Sequence, residues 1–589
     1  MVLFVIFSLS RYPASFLVTS PVADIITGIT CTAFRVYPSI ADNFRYQELE
    51  QVRLLRFCCC EQSILHQPQR PHQFSDIIVD TADGKVRGSE LVYQDKSIYA
   101  FRGIPFAKAP IGNLRFQAPV PAEPWEGVFD SNNVTICCIQ MDDGSSTTTN
   151  QSIRTIQQQE TEDCLRINVF APKRNNTELL PVMFSIYGGG FKIGCATDNL
   201  LTPYKLVNDG VIVVLANYRL GLFGWLSTGD DVVLGNAGFK DQLLALKWVQ
   251  KNIEQFGGDP TKVTILGQSA GAISVGAHIV NKKSAGLYRA AICQSGSALF
   301  NIALVSQYDP KEVAYDLAKF IDPTISERNT STEIKDFLQS QPVDVLSQAF
   351  TANPKLQFDP IICTETSSSY KITLPNLLTF LDLDAVEATA LEYDTNSLSL
   401  IPSDLKPLDG VDLNEVANVI KETYVGKSGS FSTNLAAVVE YNSDTMFIIS
   451  ALKHAELQSK YTAVYFYEFS YEGLPSLFHI NVEGLEGYVA HGVESYYLFP
   501  NLIIPSFPED NLTGDRLVRL WTNFAKTLNP TPDLTDPLLN VTWPQVLPAD
   551  IQYLNINKTL DAKRDRRAKE FAMWNQTYYT YGKQPFIGF

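Results

Sequence analysis

Val263-Thr264-Ile265-Leu266-Gly267-Gln268-Ser269-Ala270-Gly271, running on into Ala272-Ile273-Ser274-Val275-Gly276, is the stretch on which the fold turns. A short β-prone run (residues 263–266) leads into Gly-x-Ser-x-Gly and then into small residues that suit a helix. Strand, sharp turn and helix are the context that holds a serine hydroxyl out from a sheet edge as a nucleophile. Gly267 and Gly271 flank the turn where a Cβ would collide with the neighbouring strand or helix. The helix points its N-terminus at the serine, so the backbone N–H of Ala270 can meet negative charge developing on an oxygen. Gly-x-Ser-x-Gly alone is a common turn; the strand before it and the helix after it make it specific.

Working outward, short apolar runs alternate with helical patterns. Residues 182–186, 211–216, 290–293 and 463–467 read as strands, and residues 241–256 carry Leu243, Leu246, Trp248, Val249 and Ile253 at helical spacing. Residues 77–79 and 85–88 read as a hairpin about Asp83-Gly84. The alternation predicts an α/β protein with a central, mostly parallel sheet flanked by helices. Directly after the strand ending at Ile186 comes Tyr187-Gly188-Gly189-Gly190-Phe191. Its bare glycine N–H groups can approach an oxygen closely. The spacing is neither that of a phosphate loop nor of a dinucleotide fingerprint, and no Lys-Ser/Thr follows.

Composition bounds the rest. A chain of 589 residues with 45% hydrophobic and 19% charged residues has a large core. A net charge of −16 argues against nucleic acid and against anionic membrane surfaces. Residues 1–75 read as a leader and a poorly structured segment. An apolar run (residues 2–9) lacks a basic residue before it, Arg11 interrupts it, Cys58-Cys59-Cys60 has no metal-ligand spacing, and residues 67–73 are polar and proline-broken. Residues 76–589 read as one domain. No run approaches the ~18 apolar residues of a spanning helix, and the C-terminus carries neither retention signal nor anchor tail. Ten cysteines, and sequons at Asn133, Asn150, Asn175, Asn329, Asn511, Asn540, Asn557 and Asn575, point to a secreted, disulfide-bonded glycoprotein.

Further blocks carry a family resemblance: Phe101-Arg102-Gly103-Ile104-Pro105-Phe106-Ala107, Glu162-Asp163-Cys164-Leu165-Arg166-Ile167-Asn168-Val169, residues 187–191, Asn217-Tyr218-Arg219-Leu220-Gly221, Phe256-Gly257-Gly258-Asp259-Pro260, the serine turn, Gln294-Ser295-Gly296, and Trp521-Thr522-Asn523-Phe524-Ala525-Lys526. In this order, from about residue 76 to the end, the chain resembles the type-B carboxylesterase and cholinesterase-like family of α/β-hydrolases. The resemblance implies the α/β-hydrolase fold and a serine hydrolase of carboxylic esters. Such an enzyme works through an acyl-enzyme with no metal and no cofactor. It implies an oxyanion hole from the N–H groups of Gly189, Gly190 and Ala270. It also implies a disulfide between Cys138 and Cys164, with adjacent Cys137 as the other possible partner; Cys195, Cys293 and Cys363 find no partner from sequence. Of six histidines, His491 lies in a Gly-flanked loop (residues 487–494) C-terminal to the serine, where this fold places its general base. There it takes the Ser269 proton and later protonates the leaving alcohol. His278, His454 and His479 have no supporting motif.

The family pattern breaks at the acid. It is usually a Glu within an Asp-Glu-Gly-like signature between serine and histidine. In the corresponding residues 388–397, Thr395 stands where the acid should be and Asn396 replaces the glycine. Either Asp394, the nearer, or Glu392 takes the position after a small register shift, or the acid is missing. Gln268 stands where many members have Glu. The loop between Cys138 and Cys164 contains no aromatic residue, whereas cholinesterases use a Trp there to hold a quaternary ammonium. Choline esters are therefore excluded, and a small, uncharged, partly apolar ester is expected. Two other readings remain at this level: a catalytically impaired adhesion or binding protein, favoured by the degraded acid motif, and a lipase that opens at interfaces.

Overall fold

The computed structural model describes residues 77–131, 136–141, 159–198, 201–299, 309–326, 328–352, 383–402, 404–473, 489, 491–500, 508–548 and 550–583. The expectations for residues 1–75, Cys363 and His479, and most of the loop between Cys138 and Cys164, lie outside them.

The strands of the main sheet are β1 (Ile77–Thr81), β2 (Gly84–Tyr93), β3 (Lys96–Pro105), β4 (Val128–Asp130), β5 (Arg166–Pro172), β6 (Leu180–Ile186), β7 (Ile212–Ala216), β8 (Gly258–Gln268) and β9 (Ala290–Gln294). Their order is β1-β2-β3-β5-β7-β6-β8-β9, with β4 pairing β2. The part that carries the serine is parallel: β7 with β6, β6 with β8, and β8 with β9. On the N-terminal side every pair along the order from β1 to β7 is antiparallel, and only β4, off that path, joins β2 in parallel. The mostly parallel sheet expected from the alternation is thus a mixed one. Tight turns are the reason: Thr81 pairs with Gly84, and Tyr93 with Lys96 across Gln94 and Asp95, both at positive φ. Two-residue turns of that hand join only antiparallel neighbours.

The central strands are buried on both faces, which explains why they read as unbroken apolar runs rather than as alternation. All of β7 is buried, and Val263, Ile265 and Leu266 of β8 are at most 1% exposed. Helices α1 (Ala237–Asn252) and α2 (Ala270–Val280) turn Leu246, Val249, Ala270, Ile273 and Val275 into the same core. Helix α1 begins one turn before the expected start, after Asn236 in the left-handed region, and tightens into a 3₁₀ turn at Ile253–Phe256. The strand expected at 463–467 begins only at Tyr467. As β10 (Tyr467–Phe469) it joins β11 (Gln552–Ile556) and β12 (Leu560–Arg564) in a separate small sheet, and Tyr465 makes just an isolated bridge to Gln545.

Past the main sheet come α3 (Leu383–Thr395), α4 (Val493–Leu498), α5 (Pro508–Thr527) and α6 (Ala568–Tyr581). A second core, around Tyr393, Phe431, Tyr441 and Trp574, fixes α6 against this helical layer. Among the described residues no helix is long and apolar enough to cross a membrane.

Candidate active site

Ser269 follows the last residue of β8 and caps α2 with φ 57° and ψ −123°. A side chain rarely adopts this conformation, and holding it costs on the order of 1–3 kcal/mol. Neighbouring backbone pins it: Ser269 N–H donates to the Gln294 carbonyl at 2.8 Å, and Ile273 N–H to the Ser269 carbonyl at 3.0 Å. Both flanking glycines are required. A Cβ on Gly271 would lie 2.0 Å from the Ile186 carbonyl oxygen, and one on Gly267 2.4 Å from the Gly271 backbone.

The glycine turn after β6 lies against this elbow. A Cβ on Gly188 would sit 3.1 Å from the Ser269 Cβ. Gly189 and Gly190 have φ of 119° and 60°, and the Gly189 carbonyl accepts from the N–H groups of Lys192 and Ile193. Among the described residues neither the Gly189 nor the Gly190 N–H is engaged in a hydrogen bond. Ala270 is the first residue of α2, so its N–H has no partner within the helix.

His491 reaches the same place from the far end of the chain. Its Nε2 lies 3.2 Å from Nε2 of Gln268, the residue preceding the serine. Gly492, at φ 81°, brings the backbone close: a Cβ there would stand 3.0 Å from the Gln268 Nε2. The imidazole packs on Phe447 with ring centroids 5.1 Å apart. Phe447 sits in a π-helical turn, Asp444–Ile448, a distortion that recurs at functional sites. The surrounding atoms strip water from the half-buried ring and push its pKa down to about 3. The imidazole is therefore neutral near pH 7, as a general base must be. The Ser269 hydroxyl itself makes no hydrogen bond among the described residues; Gln268 holds Nε2 instead.

Asp394 is not brought to the imidazole. It lies near the C-terminal end of α3, and both oxygens are used there. Oδ1 accepts from Lys421 at 2.9 Å and from the Phe431 N–H at 3.0 Å; Oδ2 accepts from Ser432 N–H at 2.9 Å and its hydroxyl at 2.6 Å. Burial is the largest single influence and raises its pKa, but these donors together outweigh it and hold the carboxyl well below the usual range. The residue caps a turn in the helical layer, and the expected acid role is corrected accordingly. Glu392 is exposed on the same helix, without a side-chain hydrogen bond among the described residues. A carboxylate that sequence reasoning passed over is Glu494, three residues after His491. It is fully buried, accepts from the Ser295 hydroxyl at 3.1 Å, and burial pushes its pKa up to about 7. His278 belongs to the core, hydrogen-bonded through both ring nitrogens to Ser284 and Gln242.

Two disulfides brace the rim. Cys138 is bonded to Cys164, and Cys137 to Cys195. The second pairing had no signal in the sequence, since adjacent cysteines give no spacing to read. The tethered segment meets the glycine turn through Gln140, whose Oε1 accepts from the Gly194 N–H at 2.6 Å. Asn217 sews the same region together, donating to the carbonyls of Ile136 and Cys164 and accepting from Ala196 N–H. The bridges close sequence separations of 26 and 58 residues, and chain entropy assigns each about 3–4 kcal/mol. Paired Cys138→Ser and Cys164→Ser replacement is expected to lower folding free energy by about that amount. Denaturant midpoints against the parent chain measure it.

Residues 75–574 match the Carboxylesterase family. The chain is 31% identical over 539 residues to acylcarnitine hydrolase of Rattus norvegicus, covering 85% of this chain and 91% of that protein. It is 31% identical over 517 residues to juvenile hormone esterase of Tribolium castaneum, covering 79% and 85% respectively. Among solved structures, juvenile hormone esterase from Manduca sexta, with OTFP covalently attached, superposes with a TM-score of 0.70 at 25% identity, over 86% of this chain and all of that one. The serine elbow, the glycine turn beside it and the mixed sheet beneath them thus sit in a chain that belongs to the carboxylesterase family of α/β-hydrolases and is a serine hydrolase of carboxylic esters.

Proposed function

We propose that the chain hydrolyses small, uncharged, partly apolar carboxylic esters by an acyl-enzyme route on Ser269. The Ser269 hydroxyl oxygen attacks the ester carbonyl carbon while His491 Nε2 takes its proton. The carbonyl oxygen becomes an oxyanion facing the N–H groups of Gly189, Gly190 and Ala270. The tetrahedral adduct then expels the alcohol, which leaves with the proton held by His491. Water repeats the sequence on the acyl-serine and releases the acid. Asp394 has no part in this scheme.

The observation that carries the reading is the strained serine at the head of α2, with the glycine turn packed against it at Gly188 and the following Gly189 and Gly190 N–H groups unengaged among the described residues. The expectation of an uncharged substrate rests on the absence of any aromatic side chain between Cys138 and Cys164. Residues 1–75 are read as a leader and a poorly structured segment and 76–589 as the working domain; the secretory route is supported by the two disulfides and by exposed sequon residues Asn175 and Asn540. A fluorophosphonate probe tests the chemistry. The purified chain should gain one covalent adduct, on the peptide containing Ser269. A folded chain that takes up no probe would reject the reading in favour of a binding protein.

A further inference from the structure

We infer that the Gln268 carboxamide is a positioning residue for the general base: in the substrate-free enzyme it holds Nε2 of His491, fixes the imidazole proton on Nδ1, and yields Nε2 to the Ser269 hydroxyl when ester binds. This rests on the roles proposed above for Ser269 and His491.

Gln268 immediately precedes the nucleophile, and its side-chain nitrogen stands 3.2 Å from Nε2 of the imidazole. A carboxamide nitrogen carries two hydrogens and accepts nothing, so it is the donor. The ring nitrogen it meets must then present its lone pair, which places the single proton of the neutral ring on Nδ1. That is the tautomer a base needs before it can take a proton from serine. Two glycines make room for the carboxamide. A Cβ on Gly188 would lie 2.8 Å from its Oε1, and one on Gly492 3.0 Å from its Nε2. The side chain is therefore held between the turn that carries the oxyanion donors and the turn that carries the base. Nε2 has one lone pair, so the serine hydroxyl takes over the place that the amide occupies at rest.

The charge at position 268 also sets the sign of its effect on the ring. Among the described residues, the other ionisable groups on the elements packed around His491 have partners of their own. Glu494, on its own segment, is held by Ser295. Asp444, in the π turn that carries Phe447, is held by Arg567 and Tyr424. A neutral donor at 268 favours the unprotonated ring. A carboxylate there would accept instead, drawing a proton onto Nε2 and favouring imidazolium.

The test follows imidazole signals by NMR in the full chain with ¹³C,¹⁵N-labelled histidine, His491 being assigned by its loss in His491→Gln. Wild type should show the Nδ1–H tautomer. Gln268→Glu, nearly isosteric, should move the proton to Nε2 and raise the His491 pKa by about 1–3 units. The acidic limb of kcat/KM should rise by the same amount, with KM little changed. Gln268→Leu should give a mixture of tautomers. Identical tautomer and titration in all three folded chains would overturn the proposal. Because the NMR arm needs no turnover, a wild-type chain without esterase activity would count against the roles of Ser269 and His491, while the Gln268 contact would still be decided.

Discussion

Ser269→Ala is expected to lower kcat for ester hydrolysis by roughly 10⁵–10⁶-fold, with KM nearly unchanged. The hydroxyl is the only atom group removed, and the elbow's backbone contacts to Gln294 and Ile273 do not use it. Nucleophile and base act as one unit, so His491→Gln and the double replacement should each cost about as much as Ser269→Ala alone. Additive losses would mean that the two side chains work independently and would reject the proton transfer between them. The backbone adds a second signature. At φ 57° a Cβ is strained, and alanine keeps that strain. Ser269→Gly removes it, and should abolish turnover while raising stability by about 1 kcal/mol. Gain of stability on loss of a side chain is the reverse of what a packing residue gives. Denaturant midpoints of the two variants, compared with each other, measure the difference.

Local rules made the elbow and its neighbours legible. The strand ahead of Ser269, the glycines that only a close approach requires, and the helix after it are each dictated within a few residues, and the structure has all three. The apolar runs at 182–186 and 211–216 were equally readable, because strands buried on both faces have no polar alternation to confuse. The hand of the sheet was not: the turn at Gln94-Asp95 adopts positive φ without the Asn-Gly or Asp-Gly that would announce it. The strand expected at 463–467 failed for a related reason, since an apolar run does not say which sheet receives it. The acid failed because its reading relied on register within a segment where the family signature is degraded, whereas Asp394 found donors on a neighbouring turn. Other parts of the site are set by contacts over long separations. Gln268 and His491 are 223 residues apart, and nothing near either residue announces the other. The family blocks without chemistry of their own are struts. Arg102 pairs with Asp198, Asn168 accepts from the Gly103 N–H at 2.6 Å, and Asn217 ties the disulfide-bonded segment down.

Breaking the strut between Arg219 and Asp241 should cost more stability than any other single polar change near the site. The pair is bidentate and dry: Nε and Nη2 donate to Oδ2 and Oδ1 at 2.8 and 2.7 Å, the Arg219 backbone N–H adds a third bond to Oδ2 at 3.0 Å, and the side chains are 3% and 0% exposed. Removing one partner strands the other charge out of water, a loss of about 3–5 kcal/mol. Asp241→Asn keeps the shape and loses the charge, so it isolates that term. The consequence reaches the chemistry through backbone. Arg219 follows Tyr218, whose hydroxyl donates to the Tyr187 carbonyl at 2.9 Å, while the Tyr187 hydroxyl donates to the Tyr218 carbonyl at 3.0 Å. The two rings stack at 4.4 Å. Tyr187 is the residue before Gly188, so the ion pair, the tyrosine pair and the oxyanion turn form one rigid series. Asp241→Asn should therefore lower both the denaturant midpoint and kcat. Arg219→Lys, which keeps the charge but cannot donate through two nitrogens, should fall between it and wild type. A variant that loses the full stability while keeping wild-type kcat would show that the glycine turn holds its shape without this support.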